Sequence, residues 1–294
     1  MSTARDSAAL VALLRLDEQS GPDVAERVDA AGSARAVLER ELAGHDGQGT
    51  LLPADPEPLI ERASADIAAW GERGMRLVTA LDSGYPENLR RVHDRPPLLF
   101  VAGQLERADE RSVAVIGSRR ASQPALQAAA RLAEHLVGEG YTVVSGLAAG
   151  IDTAAHRAAL GAGGRTIAVI GTGLGRSYPA ENRQLQERIA RECAVVSQFW
   201  PDDPPSRESF PRRNALMSGL ARGTVIVEAS VRSGARVQAR LALAHGRPVF
   251  LTRELLEQPW ARELAKRPGV HVVREPGEIT ATLERLDATD ALVE

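Results

Sequence analysis

The clearest regularity in the chain begins at residue 111. Short unbroken apolar runs alternate there with longer stretches of mixed polarity. The runs cover 112–117, 141–146, 165–171, 194–199, 224–229 and 248–252, with a last one at 270–273. Between them, apolar positions recur at helical spacing and predict helices over 123–138, 151–161, about 180–192, 211–221, 233–245, 256–266 and 276–286. Strands that are apolar on both sides and joined by helices belong to a parallel sheet covered on both faces. The fold class is therefore α/β, with a doubly wound, mostly parallel sheet. The first quarter of the chain reads differently. Leu10, Leu13, Leu14 and Leu16 share a helix face, Gly21-Pro22 breaks the pattern, and residues 28–42 resume it. Residues 43–58, with Gly44, Gly47, Gly49, Pro53, Pro56 and Pro58, read as a linker ahead of a helix over 59–73. Short strands at 76–80 and 98–102 flank a turn at Asp82-Ser83-Gly84-Tyr85-Pro86. The expected organisation is a helical segment over 1–45, linker and helix over 46–75, a large α/β domain over 76–286 and a tail over 287–294.

Composition narrows the chemistry. With 294 residues, 44% of them hydrophobic but only 3% aromatic, the core must be built mainly of Ala, Val, Leu and Ile. Net charge is −3, so an anionic polymer would have to meet a local basic patch. Of the 36 basic residues only Lys266 is a lysine. That bias reads as genome composition, yet it makes every other cationic side chain a guanidinium, suited to bidentate phosphate binding. Cys193 is the one cysteine, which excludes an internal disulfide and a zinc cluster built on several thiols. It opens an apolar run and is expected to be buried. No apolar run approaches the ~18 residues of a membrane span, and no signal-peptide pattern opens the chain. A cytoplasmic location is the expectation.

Several motifs fail. Gly171-Thr172-Gly173-Leu174-Gly175 is one residue short of a dinucleotide fingerprint, and no acid ends the second strand of the 111-onward series. A P-loop needs a lysine that this chain places elsewhere. Asp152 and His156 stand four apart on a helix but lack further ligands. Asp152 is read as a helix-start residue and His156 as a hydrogen-bonding residue of the turn. No metal, cofactor or catalytic residue is expected.

What remains lies where the apolar runs end, the edge at which such sheets bind ligands. Residues 144–156, Val-Ser-Gly-Leu-Ala-Ala-Gly-Ile-Asp-Thr-Ala-Ala-His, join a strand to a helix through Gly146 and Gly150. Free N–H groups at that helix start, with the helix dipole behind them, would face an anion. Gly117-Ser118-Arg119-Arg120 sets two arginines after the first strand of the series, either for phosphate oxygens or as a solvated pair. Gly171 and Gly173 belong to the same edge, with Glu228-Ala229 and Arg253. Phe210-Pro211-Arg212-Arg213-Asn214 opens another helix. Its arginines lie near a positive helix end, a cost of ~0.3–1 kcal/mol that an anion would offset; a plain solvated helix start is the alternative. Ser233-Gly234-Ala235-Arg236 opens a third, as a cap or as part of the groove with Arg236 or Arg240. Phe199, Trp200, Phe210 and Tyr178 are the aromatic residues near this edge.

These segments, in order, resemble the DNA-processing protein A (DprA/Smf) family. The resemblance is carried by Tyr85–Leu89 with Pro96–Phe100, Val115–Arg119, Ser145–His156, Thr166–Gly173, Tyr178–Asn182, Phe210–Asn214, and Val227–Ser230 with Ser233-Gly234. It covers roughly residues 76–252. It implies an extended Rossmann-like domain, and residues 1–45 fit the family's small helical accessory domain, of SAM or helix-hairpin-helix type. It also implies a homodimer that binds single-stranded DNA and helps load the RecA recombinase in natural transformation, without catalysis. The phosphate-contacting roles map onto Arg119, the Gly146–Gly150 turn, Arg212, Arg213 and Asn214.

Three segments depart from the family pattern: Ser197-Gln198, Ala235–Ala239 and Leu251–Leu256. With no C-terminal winged-helix segment before Glu294, the wording is that of a divergent, actinobacterial-type member. The competing expectation is a related Rossmann-like protein that binds or cleaves nucleotide-derived ligands, such as a phosphoribohydrolase, with Glu228 as its acid. A scaffold that has lost its ligand is a third.

Overall fold

The computed structural model describes residues 4–16, 21–45, 55–231 and 233–290. Four helices come first: α1 (Ala4–Leu16), α2 (Gly21–Ala31), α3 (Ala34–His45) and α4 (Glu57–Glu72). β1 (Arg76–Thr79), the one-turn α5 (Glu87–Arg90) and β2 (Leu98–Gly103) follow. The alternation then runs β3 (Ser112–Ile116), α6 (Gln123–Gly138), β4 (Thr142–Ser145), α7 (Ile151–Gly161), β5 (Thr166–Val169), α8 (Arg183–Glu192) and β6 (Ala194–Ser197). It ends with α9 (Ser209–Leu220), β7 (Gly223–Ile226), α10 (Ala235–Ala244), β8 (Val249–Thr252), α11 (Pro259–Leu264), β9 (Val270–Val273) and α12 (Gly277–Asp290).

Among the described residues nine strands join one sheet, in the order β1-β2-β6-β5-β4-β3-β7-β8-β9. From β6 to β9 every pairing is parallel, while β2 pairs antiparallel with both β1 and β6. Strands β4, β5 and β6 build outward on one side of β3, and the chain then returns to lay β7, β8 and β9 on the other. The carboxyl ends of β3 and β7 thus flank the point where winding reverses, which is where doubly wound sheets keep their crevice. Along β3 the side chains alternate, Ala114 and Ile116 into one hydrophobic cluster and Val113 and Val115 into the other. That period of two explains why the run carries no polar face.

The amino-terminal helices share a third cluster with the sheet, in which Leu10, Leu13, Leu38 and Trp70 pack with Phe100, Leu174 and Ile189. Trp70 stands edge-on to Phe100, ring centroids 5.0 Å apart, and Trp200 closes the group at 5.9 Å from each.

Some expectations shift. Gly21-Pro22, where the pattern breaks, opens the new helix α2, because proline suits the first helical turn. A second break falls at Gly32, whose φ of +67° divides the expected 28–42 segment between α2 and α3. The helix expected over 256–266 divides into a 3-10 turn, Arg253–Glu257, and α11. The cause is Pro259, which holds Gln258 in extended backbone (φ −83°, ψ 126°). Of the expected 43–58 linker, residues 46–54 lie outside the described part, as does the end of the expected tail. Among the described residues, no helix is long and apolar enough to cross a membrane.

Candidate nucleic-acid interface

The turn between β4 and α7 is the centre of the carboxyl edge. Gly150 has φ +80° and ψ −124°, and a Cβ there would lie 2.2 Å from the Ser118 carbonyl oxygen. Both facts require glycine. A Cβ on Gly146 would lie 1.7 Å from a guanidinium nitrogen of Arg213. Leu147, fully buried, takes the left-handed φ of 56° between them.

Four side chains brace this turn from beneath. Asp152 Oδ2 accepts the N–H groups of Gly146 (3.1 Å) and Ala148 (3.3 Å). Thr153 donates its hydroxyl to the Ala148 carbonyl, and Asn182 Nδ2 donates to the Leu147 carbonyl and to Thr153 Oγ1, each at 2.8 Å or less. Arg213 donates to the carbonyls of Gly146 (2.5 Å) and Val169 (3.0 Å). The turn's amides are therefore not all free for a ligand, as the sequence suggested. Two go to Asp152, and Ile151 N–H goes to Ser118 O. The first-turn amides of α7 at Asp152 and Thr153 have no intrahelical acceptor.

Burial sets the electrostatics beneath the turn. Desolvation pushes the Asp152 carboxyl upward from the usual carboxylate range, against the pull of nearby Arg213 and the two backbone donors. Desolvation also lowers the Arg213 pKa, which Asp152 partly restores. Asp152 and Arg213 are thus electrostatic partners under the glycine turn, each about nine-tenths buried or more. His156 sits one turn deeper. Its Nδ1 pairs with Thr166 Oγ1 at 2.7 Å, and that hydroxyl donates to Val143 O, so Nδ1 carries the proton. His156 is therefore tied to β5, not to the turn. Burial lowers its pKa to about 3 and keeps it neutral.

The expected site residues divide into brace and rim. Arg213 is brace, and Asn214 is 9% exposed behind it. Gly171 packs against Phe210, and Gly173 against the carbonyls of Trp200 and Pro201. Trp200 joins the tryptophan cluster rather than the edge. Arg119 is exposed, its guanidinium 5.2 Å from the centroid of the Phe210 ring. Tyr178, 42% exposed, leans on the same ring at 5.7 Å. Exposed Arg212 lies 5.2 Å over Phe199, and Gln198 Nε2 donates to the Arg212 carbonyl. The rim thus carries two exposed arginines, Arg119 over half-buried Phe210 and Arg212 over buried Phe199, with Tyr178 as the exposed ring beside them.

Arg120 turns toward the other side of the switch point. It lines a groove of about 840 Å³ with Ser118, Ser122 and Glu228. Three arginines (Arg120, Arg131, Arg274) face four glutamates there (Glu228, Glu254, Glu257, Glu275), which gives phosphate no net attraction. Glu228 is engaged: its carboxylate accepts Ser122 Oγ at 2.6 Å, and its backbone oxygen accepts Ser118 N. The N-cap of α10 is exposed Gly234 rather than Ser233, whose Oγ accepts Ala235 N from one residue further back. Arg236 folds back onto the Val231 carbonyl and the Trp260 ring, away from the groove.

The architecture and this edge define a class, a Rossmann-type α/β protein with a braced glycine turn beneath an arginine–aromatic rim. The chain belongs to the DNA recombination-mediator protein A family, whose sequence model matches residues 76–280. It is 44% identical over 170 residues to the DNA processing protein DprA of Streptococcus pneumoniae, a match that covers 58% of this chain and 60% of that protein. The chain therefore spans about three fifths of that relative's length. The X-ray structure of S. pneumoniae DprA superposes with a TM-score of 0.66 at 33% identity, over 83% of this chain and 91% of that one. DprA from Helicobacter pylori, whose structure addresses its single-stranded DNA binding mode, superposes with a TM-score of 0.62 at 29% identity, over 71% and 96%.

Proposed function

We propose that this chain binds single-stranded DNA along the rim formed by Arg119, Arg212, Phe210 and Tyr178. In this reading it acts without catalysis, as a homodimer, to help load a RecA-type recombinase on DNA entering the cell in natural transformation. Family membership and the single-strand binding described for the H. pylori protein support it. The observation that carries it is a pair of exposed guanidiniums, Arg119 over Phe210 and Arg212 over Phe199, beside the exposed ring of Tyr178. Phosphates meet the arginines, and bases find a stacking face on Tyr178 that accepts any sequence. The glycine turn lets the backbone of the strand approach, with Gly117, Ser118, Gly146 and Gly150 at its floor and Asn214, Ser233 and Gly234 beside it. The near-balanced charges of the larger groove and the engaged Glu228 carboxylate do not favour a phosphorylated nucleotide there.

Titration of a labelled oligo-dT of roughly 35 nucleotides by anisotropy, at two salt concentrations, tests the reading. The slope of log affinity against log salt reflects ~0.7 per phosphate neutralised on a single strand. A slope of several units, with poor competition by duplex, is expected. Arg119→Ala weakens binding to all sequences and lowers the slope by about one contact. No binding at low salt, or a slope near that of a mononucleotide, overturns the reading.

A further inference from the structure

Away from the rim, a cluster of unlike groups meets between the loop before β2 and the end of α10. Ligand atoms of His93, Asp94 and His245 all lie within 4.8 Å of one another. His245 is nearly enclosed, its side chain 1% exposed, while His93 is exposed and Asp94 is intermediate. The rings of His93 and His245 stand edge to face, 5.7 Å apart.

The hydrogen bonds around His245 hold its ring toward Asp94. Ser218 Oγ donates to the Ala215 carbonyl at 3.0 Å and lies 2.9 Å from His245 Nδ1. With its hydrogen placed on Ala215, Ser218 accepts from Nδ1–H. His245 Nε2 then presents a lone pair 2.8 Å from Asp94 Oδ1. In this tautomer the Nε2 lone pair and the Asp94 carboxylate converge on one side, where a cation can bind both. The third ligand, His93, brings the set to two imidazoles and a carboxylate, a donor set that suits a borderline divalent metal such as zinc. The Ser218 bond to Nδ1 is also the outer-sphere support that metal-binding histidines ordinarily have.

We propose that His93, Asp94 and His245 bind a divalent transition metal of the zinc type. The metal ties the loop before β2 to the carboxyl end of α10. Asp94 also lines a cavity of about 250 Å³ between the amino-terminal helices and α9, with Leu14, Pro22, Arg212 and Ala215 on its walls. Solvent there would complete the coordination.

The test is a zinc titration of the untagged full chain against a chromophoric chelator, beside thermal denaturation with zinc or with chelator. His93→Ala removes an exposed ligand, and Asp94→Asn keeps the shape of the carboxylate. The wild type is expected to bind one zinc ion and to gain thermal stability from it. Both variants lose at least about tenfold in affinity, since changes in the outer sphere alone commonly cost that much. Zinc binding and zinc stabilisation that are the same in the wild type and both variants overturn the proposal and leave a His245–Asp94 hydrogen bond.

Discussion

His156 shows how one enclosed side chain imposes a pH dependence. Its native pKa is about 3, against an ordinary 6.5. As pH falls below the ordinary value, the unfolded chain takes up a proton here and the native chain does not. Stability is therefore full above that value and falls as pH drops toward the native pKa. The slope is at most about 1.4 kcal/mol per pH unit while the two states differ by one proton. His156→Asn retains a donor toward Thr166 but does not titrate. Its urea midpoint should decline less steeply than that of the wild type between about pH 7 and pH 5, even from a lower starting stability. Parallel declines would remove His156 as the cause.

At the scale of elements, the β4–α7 turn is held by groups from three other segments: Asn182 before α8, Arg213 in α9 and Ser118 after β3. Brace and rim should separate by experiment. Arg213→Met leaves the carbonyls of Gly146 and Val169 without that donor and is expected to cost about 1–3 kcal/mol in urea denaturation. Arg119→Ala, at the surface, should stay within about 0.5 kcal/mol of the wild type while DNA binding falls. Equal stability of the two variants would refute this division. The strand–helix alternation was legible because fully enclosed strands leave unbroken apolar runs, and the α7 limits matched because Gly150 at its start and Gly163 just past its end, both at positive φ, bound it. The roles of Arg213 and Asp152 were not legible. A charged residue beside a helix start reads as surface, and only the tertiary fold turns it inward. His93, Asp94 and His245 were invisible as a group because 151 positions separate Asp94 from His245. The shift of the α2 start and the division of α11 turned on prolines whose position within a helix, rather than their presence, decides the outcome.

Across the whole molecule, the helical amino terminus and the sheet are joined by a common hydrophobic cluster. Two of the three tryptophans, Trp70 and Trp200, sit in it. Tryptophan fluorescence and far-ultraviolet circular dichroism should therefore report one coincident urea transition. An earlier fluorescence transition would mean that the helices detach first. Trp70→Ala should lower the midpoint by the equivalent of about 3–5 kcal/mol. Cys193, the sole thiol, is 4% exposed, and burial raises its pKa. Its sulfur is consequently both shielded and protonated, so the native surface offers an alkylating dye no native thiol to compete with an engineered one. Ala149→Cys, at the exposed crest of the glycine turn, would then carry a fluorophore in a one-step labelling without prior removal of any native cysteine.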